Sequence, residues 1–230
     1  QGSLDGVIMK IDNVLNSVET AVKNMSWVVA DNIDDPESMY RLTRMMLVDN
    51  PFITGSAVAF EPNYFEEKGL YFSPYSYRVG DSIYNKQLGR EEYDYHYDDW
   101  YLIPKILGKP YWSEPYFDEG GADIMMTTYS FPLYDDEGKL FAIFTADVSL
   151  DWFADQVNCI SPYENSYNIM ISRGGTFIVH SDKSVVLNET FFISSSAIDD
   201  SRFKEVGHKM QAGERGVATF ERNGQEFYFV

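Results

Sequence analysis

Between Tyr93 and Leu150 the chain sets aromatic and acidic side chains close together. The segments YDYHYDDWYLIPK, WSEPYFD, TTYSFPLYDDEGK and FAIFTADVSL follow one another, with Lys105 and Lys109 the only Lys or Arg before Lys139. Aromatic faces attract cations through the ring quadrupole, and carboxylates attract them by charge. The combination suits recognition of a small polar or cationic molecule.

Other chemistries fit these residues less well. Glu114, Asp118, Asp123 and Thr128 lie on the approach to a strand and offer oxygens to a hard cation, yet no D-x-D-x-D-G loop occurs. Asp135-Asp136-Glu137-Gly138 has the composition of a turn, so neither a metal nor a cofactor is expected. Paired carboxylates flanked by aromatics would suit acid–base chemistry on a glycoside, which makes a secreted sugar-active hydrolase the alternative reading. Nucleophilic catalysis has no support, because His96, His180 and His208 are scattered, no G-x-S-x-G elbow occurs, and Cys159 lacks a neighbouring base. No catalytic residue is expected, and His180, at the end of an apolar strand, is expected to be structural.

The chain as a whole bounds these options. Its 230 residues can bury a substantial core in one or two domains. A net charge of -18 argues against a nucleic-acid partner, since phosphates require a basic surface. A single cysteine, Cys159, excludes an internal disulfide and the cysteine motifs for zinc or iron–sulfur; a buried, inert thiol is expected. No window approaches the roughly 20 apolar residues of a membrane span, and the amino end lacks a signal peptide's apolar core, so the chain is expected to be soluble.

The elements that must position the site can be placed from periodicity. Leu4, Ile8, Ile11, Leu15, Val18, Val22, Met25 and Val29 step by four and three, which predicts a long helix to about Ala30. Asp34, Asp35 and Pro36 stop it, and a second helix is predicted from there to about Asp49. Strands are predicted near Ile53 to Phe60 and Gly69 to Tyr75, then an irregular stretch from Tyr77 to Leu107 containing a short helix, Asp99 to Leu107. Ile124 to Tyr134 and Lys139 to Leu150 form a predicted hairpin, with apolar residues on both faces of its second strand.

A helix follows from Ser149 to Val157, and a break at Ser161-Pro162 opens a second unit. There a hairpin spans Tyr167 to Ser172 and Thr176 to His180, a helix runs from Asp200 to Gln211, and strands lie at Val217 to Glu221 and Glu226 to Val230. The last strand meets the chain end, so this unit is expected to be incomplete. Trp27, Trp112 and Trp152 are expected in the core.

The long helix, DWY ahead of WSEPYFD, TYSFPLYD, a strand ending TADVSLDWF, and ISRGGTFIVHSDKS together resemble the double Cache sensor domains of bacterial transmembrane receptors. The resemblance implies an α+β fold in which a long N-terminal helix carries two PAS-like antiparallel-sheet units. Residues 1–50 would be the stalk and second helix, 51–160 the membrane-distal ligand-binding unit, and 161–230 a truncated membrane-proximal unit. It also implies an extracytoplasmic, non-enzymatic domain of a receptor such as a sensor histidine kinase, flanked by membrane helices and able to form a homodimer through the N-terminal helix. A ligand-independent dimerisation module is the remaining alternative.

In amino-acid-sensing members of that group a Tyr, an Arg five residues later, Trp-Tyr, a further Tyr and an Asp on the last strand surround the ligand. Tyr93, Trp100, Tyr101, Tyr116 and Asp147 match those places, but Asp98 stands where the Arg would be. A carboxylate there repels the group that the arginine would hold. Asp98 and Asp147, with Tyr93, Tyr95, Trp100, Tyr101, Tyr116 and Tyr129, are expected to form an acidic aromatic cage, and Asp118 and Thr128 complete the candidate set. The expected ligand is an amine or another small polar metabolite.

Overall fold

A computed structural model defines the fold and describes residues 2–119, 121–159, 166–193, 201–222 and 225–230. The break expected at Ser161-Pro162 and the helix start at Asp200 lie outside the described residues. The chain divides into two compact units, one of residues 11–149 and one of residues 1–10 with 150–230.

The long helix α1 spans Gly2–Asp31. Its buried stripe is Val7, Ile11, Val14, Val18, Val22 and Val29, the spacing that keeps one face of a 3.6-residue helix inward. Ile8 and Val28, at the margin of that stripe, are partly exposed. Trp27 is 73% exposed and not in the core, because it projects from the side of the helix away from Val22 and Val29. Trp112 and Trp152 are half-buried.

Helix α2 spans Ser38–Asp49 and buries Met39, Leu42, Met46 and Leu47, each contributing about 1.5–3 kcal/mol by leaving water. It packs on the strands β1 (Gly55–Phe60), β2 (Pro74–Val79) and β3 (Ser82–Gln87). Polar contacts help to fix its register on the sheet, two of them with β2. Thr43 Oγ1 lies 2.8 Å from Ser76 Oγ, and Arg78 donates to the Leu47 carbonyl at 2.6 Å, satisfying a backbone group that the helix end leaves unpaired.

Helix α3, Asp99–Leu107, ends at Gly108, whose φ of 62° and N–H to the Pro104 carbonyl at 2.9 Å close the last turn. Short strands β4 (Tyr111–Trp112) and β5 (Tyr116–Phe117) precede the long hairpin of β6 (Met125–Tyr134) and β7 (Leu140–Ser149). In the turn between them Asp135 Oδ1 accepts the N–H groups of Glu137 and Lys139, at 3.0 and 2.8 Å, and Gly138 adopts a φ of 78°. These seven strands form one antiparallel sheet in the order β3-β2-β1-β7-β6-β4, with β5 also on β6.

Strands β1 and β7 lie in its middle, and every residue of β1 is buried, as expected of a strand covered on both faces. The β2–β3 hairpin differs from the expectation of a strand over Gly69 to Tyr75 followed by irregular chain. Gly80, at φ 56°, starts a tight turn, and β3 is an edge strand whose polar residues lack the alternation of a half-buried strand.

In the other unit α4 (Leu150–Asn158), the pair β8 (Met170–Ile171) and β9 (Phe177–Val179), helix α5 (Ser201–Gln211) and the pair β10 (Ala218–Arg222) and β11 (Gln225–Phe229) follow in order. Its core is aromatic, with Phe191 stacked on Phe203 at 4.5 Å and Phe220 edge-on to Phe229 at 5.4 Å. Cys159 is exposed rather than buried, because it follows the last turn of α4. The chain is thus α+β, with a long N-terminal helix and an antiparallel sheet.

Candidate functional site

The face of the sheet opposite α2 carries the site. On β7, Asp147 and Thr145 point to this face; on β6 Thr128 sits directly opposite Asp147, and on β1 Gly55 does so from the other side. A Cβ at position 55 would overlap the Asp147 carboxylate and the Tyr75 hydroxyl, so only glycine lets the two meet. Tyr75 donates to Asp147 Oδ2 at 3.1 Å, and Thr128 Oγ1 donates to Oδ1 at 2.9 Å. With that proton committed, Thr128 accepts from the Tyr116 hydroxyl at 2.8 Å.

Asp147 is 4% exposed, and among the described residues no Lys or Arg forms an ion pair with it. Burial, and then the Asp118 carboxylate nearby, raise its pKa to about 7, against the opposing effect of the Thr128 and Tyr75 hydroxyls. Asp118 follows β5 and is buried too. Burial raises its pKa, while the Ala122 N–H on its Oδ2 and the ammonium of Lys86 oppose the shift.

Asp98 occupies the N-cap position of α3 but makes no side-chain cap hydrogen bond. Its Oδ2 instead accepts the Trp100 indole N–H at 3.2 Å, and Tyr93 also bonds the carboxylate. An aspartate at this place ordinarily takes a backbone N–H of the first turn. Here the carboxylate is turned to the indole, and burial raises its pKa.

Ala57, Tyr75, Leu88, Trp100, Tyr116, Asp118, Thr128, Thr145 and Asp147 line one open cavity, with about 230 Å³ of empty space including its solvent-filled mouth. Five of the expected residues therefore meet there: Trp100, Tyr116, Asp118, Thr128 and Asp147. Tyr93 and Asp98 are outside the lining but joined to it through the bond from Trp100 to Asp98, and Tyr93 lies within electrostatic reach of Asp118 and Tyr116.

Three expected residues lie elsewhere. Tyr101 is fully buried with its hydroxyl on Glu61, which also pairs with Lys105 at 2.7 Å. Tyr129 projects to the other face of the sheet, where its ring meets Trp112 at 5.2 Å. Tyr95, named with the cage, is fully buried, and its hydroxyl donates to the Phe60 carbonyl at 2.7 Å.

Glu114 and Asp123 are outside the cavity lining, and no group of three or more metal-ligating side chains occurs among the described residues. Sequence reasoning did not single out Tyr75, Leu88, Gly55 or Lys86. The alternation of Tyr75 and Tyr77 was the one local signal that a strand here presents aromatic rings to one face.

Residues 39–155 match the family described as methyl-accepting chemotaxis protein-like, first PDC sensor domain. The chain belongs to that family. This PDC sensor domain is 27% identical over 144 residues to the methyl-accepting chemotaxis protein TlpQ of Pseudomonas aeruginosa strain PAO1, over 52% of the chain and 20% of the relative. It therefore spans about one fifth of the length of that receptor.

Among solved structures, the PDC sensor domain is similar to an extracellular domain assigned to a histidine kinase, soHK1S-Z6, at 29% identity and a TM-score of 0.76, covering 96% of this chain and 83% of that one. It shares its fold with the ligand-binding domain of Mlp24 with asparagine, at 16% identity and a TM-score of 0.67, covering 97% of this chain and 80% of that one. The PDC sensor domain is an extracytoplasmic ligand-sensing domain of signal transduction. Among the described residues, no helix is long and apolar enough to cross a membrane.

Proposed function

We propose that this domain senses a small organic amine, held in the cavity between Trp100 and Asp147 and released unchanged. The observation that carries the reading is Asp147, a buried carboxylate hydrogen-bonded by neutral hydroxyls alone. A buried charge without a partner is costly, and an ammonium group supplies the missing counter-charge. Asp98 and Asp118 add two more acidic groups beside aromatic rings, and each favourable cation–ring contact adds about 0.5–2 kcal/mol.

The Mlp24 structure contains asparagine, which carries a carboxylate as well as an ammonium. A ligand carboxylate placed near Asp98 in this chain would meet like charge. The amine expected here accordingly lacks an α-carboxylate. In the intact receptor, residues 51–160 would be the sensing unit, set between membrane helices and joined to an output module, with α1 pairing two copies. Family membership and the receptor relative support its place in a receptor.

Calorimetric titration tests the ligand class. Butylamine should bind the wild type and fail to bind Asp147→Asn, while butyrate should give no heat with either. Binding of butyrate or of an unmodified amino acid with butylamine silent would overturn the reading.

A further inference from the structure

A cation of the protein's own stands beside two cavity residues, Tyr75 and Asp118. Lys86 on β3 pairs with Tyr75 on β2 and so shares its face of the sheet. Its ammonium lies 4.6 Å from the Tyr77 ring centre and 5.8 Å from that of Tyr75, and it donates to the carbonyl of Gly121. Gly121, Ala122 and Asp123 belong to the turn that leaves Asp118.

The N–H groups of this turn fold back onto Asp118. Gly121 and Asp123 donate to its carbonyl at 3.3 and 3.1 Å, Ala122 donates to its carboxylate, and Asp118 N–H reaches the Ile124 carbonyl at 3.0 Å. The turn thus stands on a cavity residue, and its Gly121 carbonyl is tied to β3 by Lys86. A Cβ at Gly121 would strike the Asp118 carboxylate, so the turn is tightly wound.

We propose that Lys86 is the latch of a lid: its ammonium holds the Gly121–Asp123 turn down over Asp118, and release of this one side chain opens the cavity mouth. The charged groups facing it are Asp118 and Asp123, which attract it, and Arg90, which opposes it. Burial lowers the Lys86 pKa from its ordinary value, as it does for an ammonium partly stripped of water. An incoming amine and Lys86 are then alternative cations for the same carboxylate. The latch deepens the amine reading and, as a gate, rests on it, but its test needs no ligand.

Amide hydrogen exchange on the unliganded domain decides it. In Lys86→Met, which keeps the length of the stem and removes the charge, the amides of Gly121, Ala122 and Asp123 should exchange about tenfold faster than in the wild type, the loss of one charge-assisted hydrogen bond. Amides of β6 and β7 should be unaffected, and Lys86→Arg should stay within about twofold of the wild type. Unaltered exchange in the turn overturns the latch, as does a general rise across the sheet, which would make Lys86 a packing residue. Failure of the wild type to bind butylamine would count against the amine reading alone and leave the exchange result standing.

Discussion

Thr128 and Asp147 face each other across the β6–β7 ladder, and the threonine hydroxyl donates to the aspartate at 2.9 Å. Neither partner carries a positive charge, so the contact orients the carboxylate without neutralising it. On the proposed amine reading, a cation from outside would supply the missing charge.

Stability should respond to pH through this carboxylate. Its folded pKa, about 7, lies above the ordinary value of 3.8, so the folded state binds the proton more tightly than the unfolded chain does. The associated stability is present below about pH 4 and is lost as pH rises towards 7, by up to about 4 kcal/mol. Asp98 and Asp118, also raised, act with the same sign. Urea unfolding at pH 4.5 and pH 7.5 should show the wild type weaker at the higher pH, and Asp147→Asn should reduce that difference. An equal difference in both proteins would show that Asp147 does not carry it.

Gly55→Ala should damage the site from the opposite strand. The added methyl must displace Asp147 or Tyr75, at an overpacking cost of about 1–3 kcal/mol. A fall in melting temperature together with loss of butylamine binding is expected. A variant that binds as the wild type does would mean that the Tyr75–Asp147 pairing is dispensable.

Trp100 and Tyr101 are neighbours with opposite expected outcomes. Trp100→Leu removes a cavity ring and a hydrogen bond to Asp98, and butylamine affinity should fall by about 5- to 30-fold. Tyr101→Phe loses its bond to Glu61 outside the cavity, so stability should drop by about 1 kcal/mol with affinity unchanged. Calorimetry and unfolding on the same two variants separate the effects, and equal affinity losses would contradict the placement of Tyr101.

Asp98→Arg reverses the charge beside the Trp100 indole. Butylamine binding should be lost, since the guanidinium repels an ammonium beside Trp100. Retention of full affinity in a thermal-shift titration would remove Asp98 from any role in ligand choice.

The parts of the fold legible in the sequence are those whose local chemistry agrees with their surroundings. The β6–β7 hairpin announces itself through Asp135 and Gly138, and through a second strand apolar on both faces. Edge strand β3, with Asn85, Lys86 and Gln87 in succession, has the composition of a loop, and only its pairing with β2 makes it a strand.

For the site, periodicity separates residues that composition treats alike. Thr128 and Tyr129 are adjacent on a strand and point to opposite faces, while Trp100 and Tyr101 are about 100° apart on a helix. Tyr75 comes to Asp147 from 72 positions earlier, a distance over which no local pattern carries information.

Strand β6 has one further property. Thr128 touches the cavity acid on one side of the sheet, and Tyr129, one peptide bond away, packs on Trp112, whose indole N–H donates to Glu19 of α1 at 2.7 Å. The strand therefore works as a wall with a contact on each side. Asp147 is linked to the long helix through Thr128, Tyr129 and Trp112, each of them on a strand of the sheet. The wall of the cavity and the support of the long helix are thus the same ten residues of backbone.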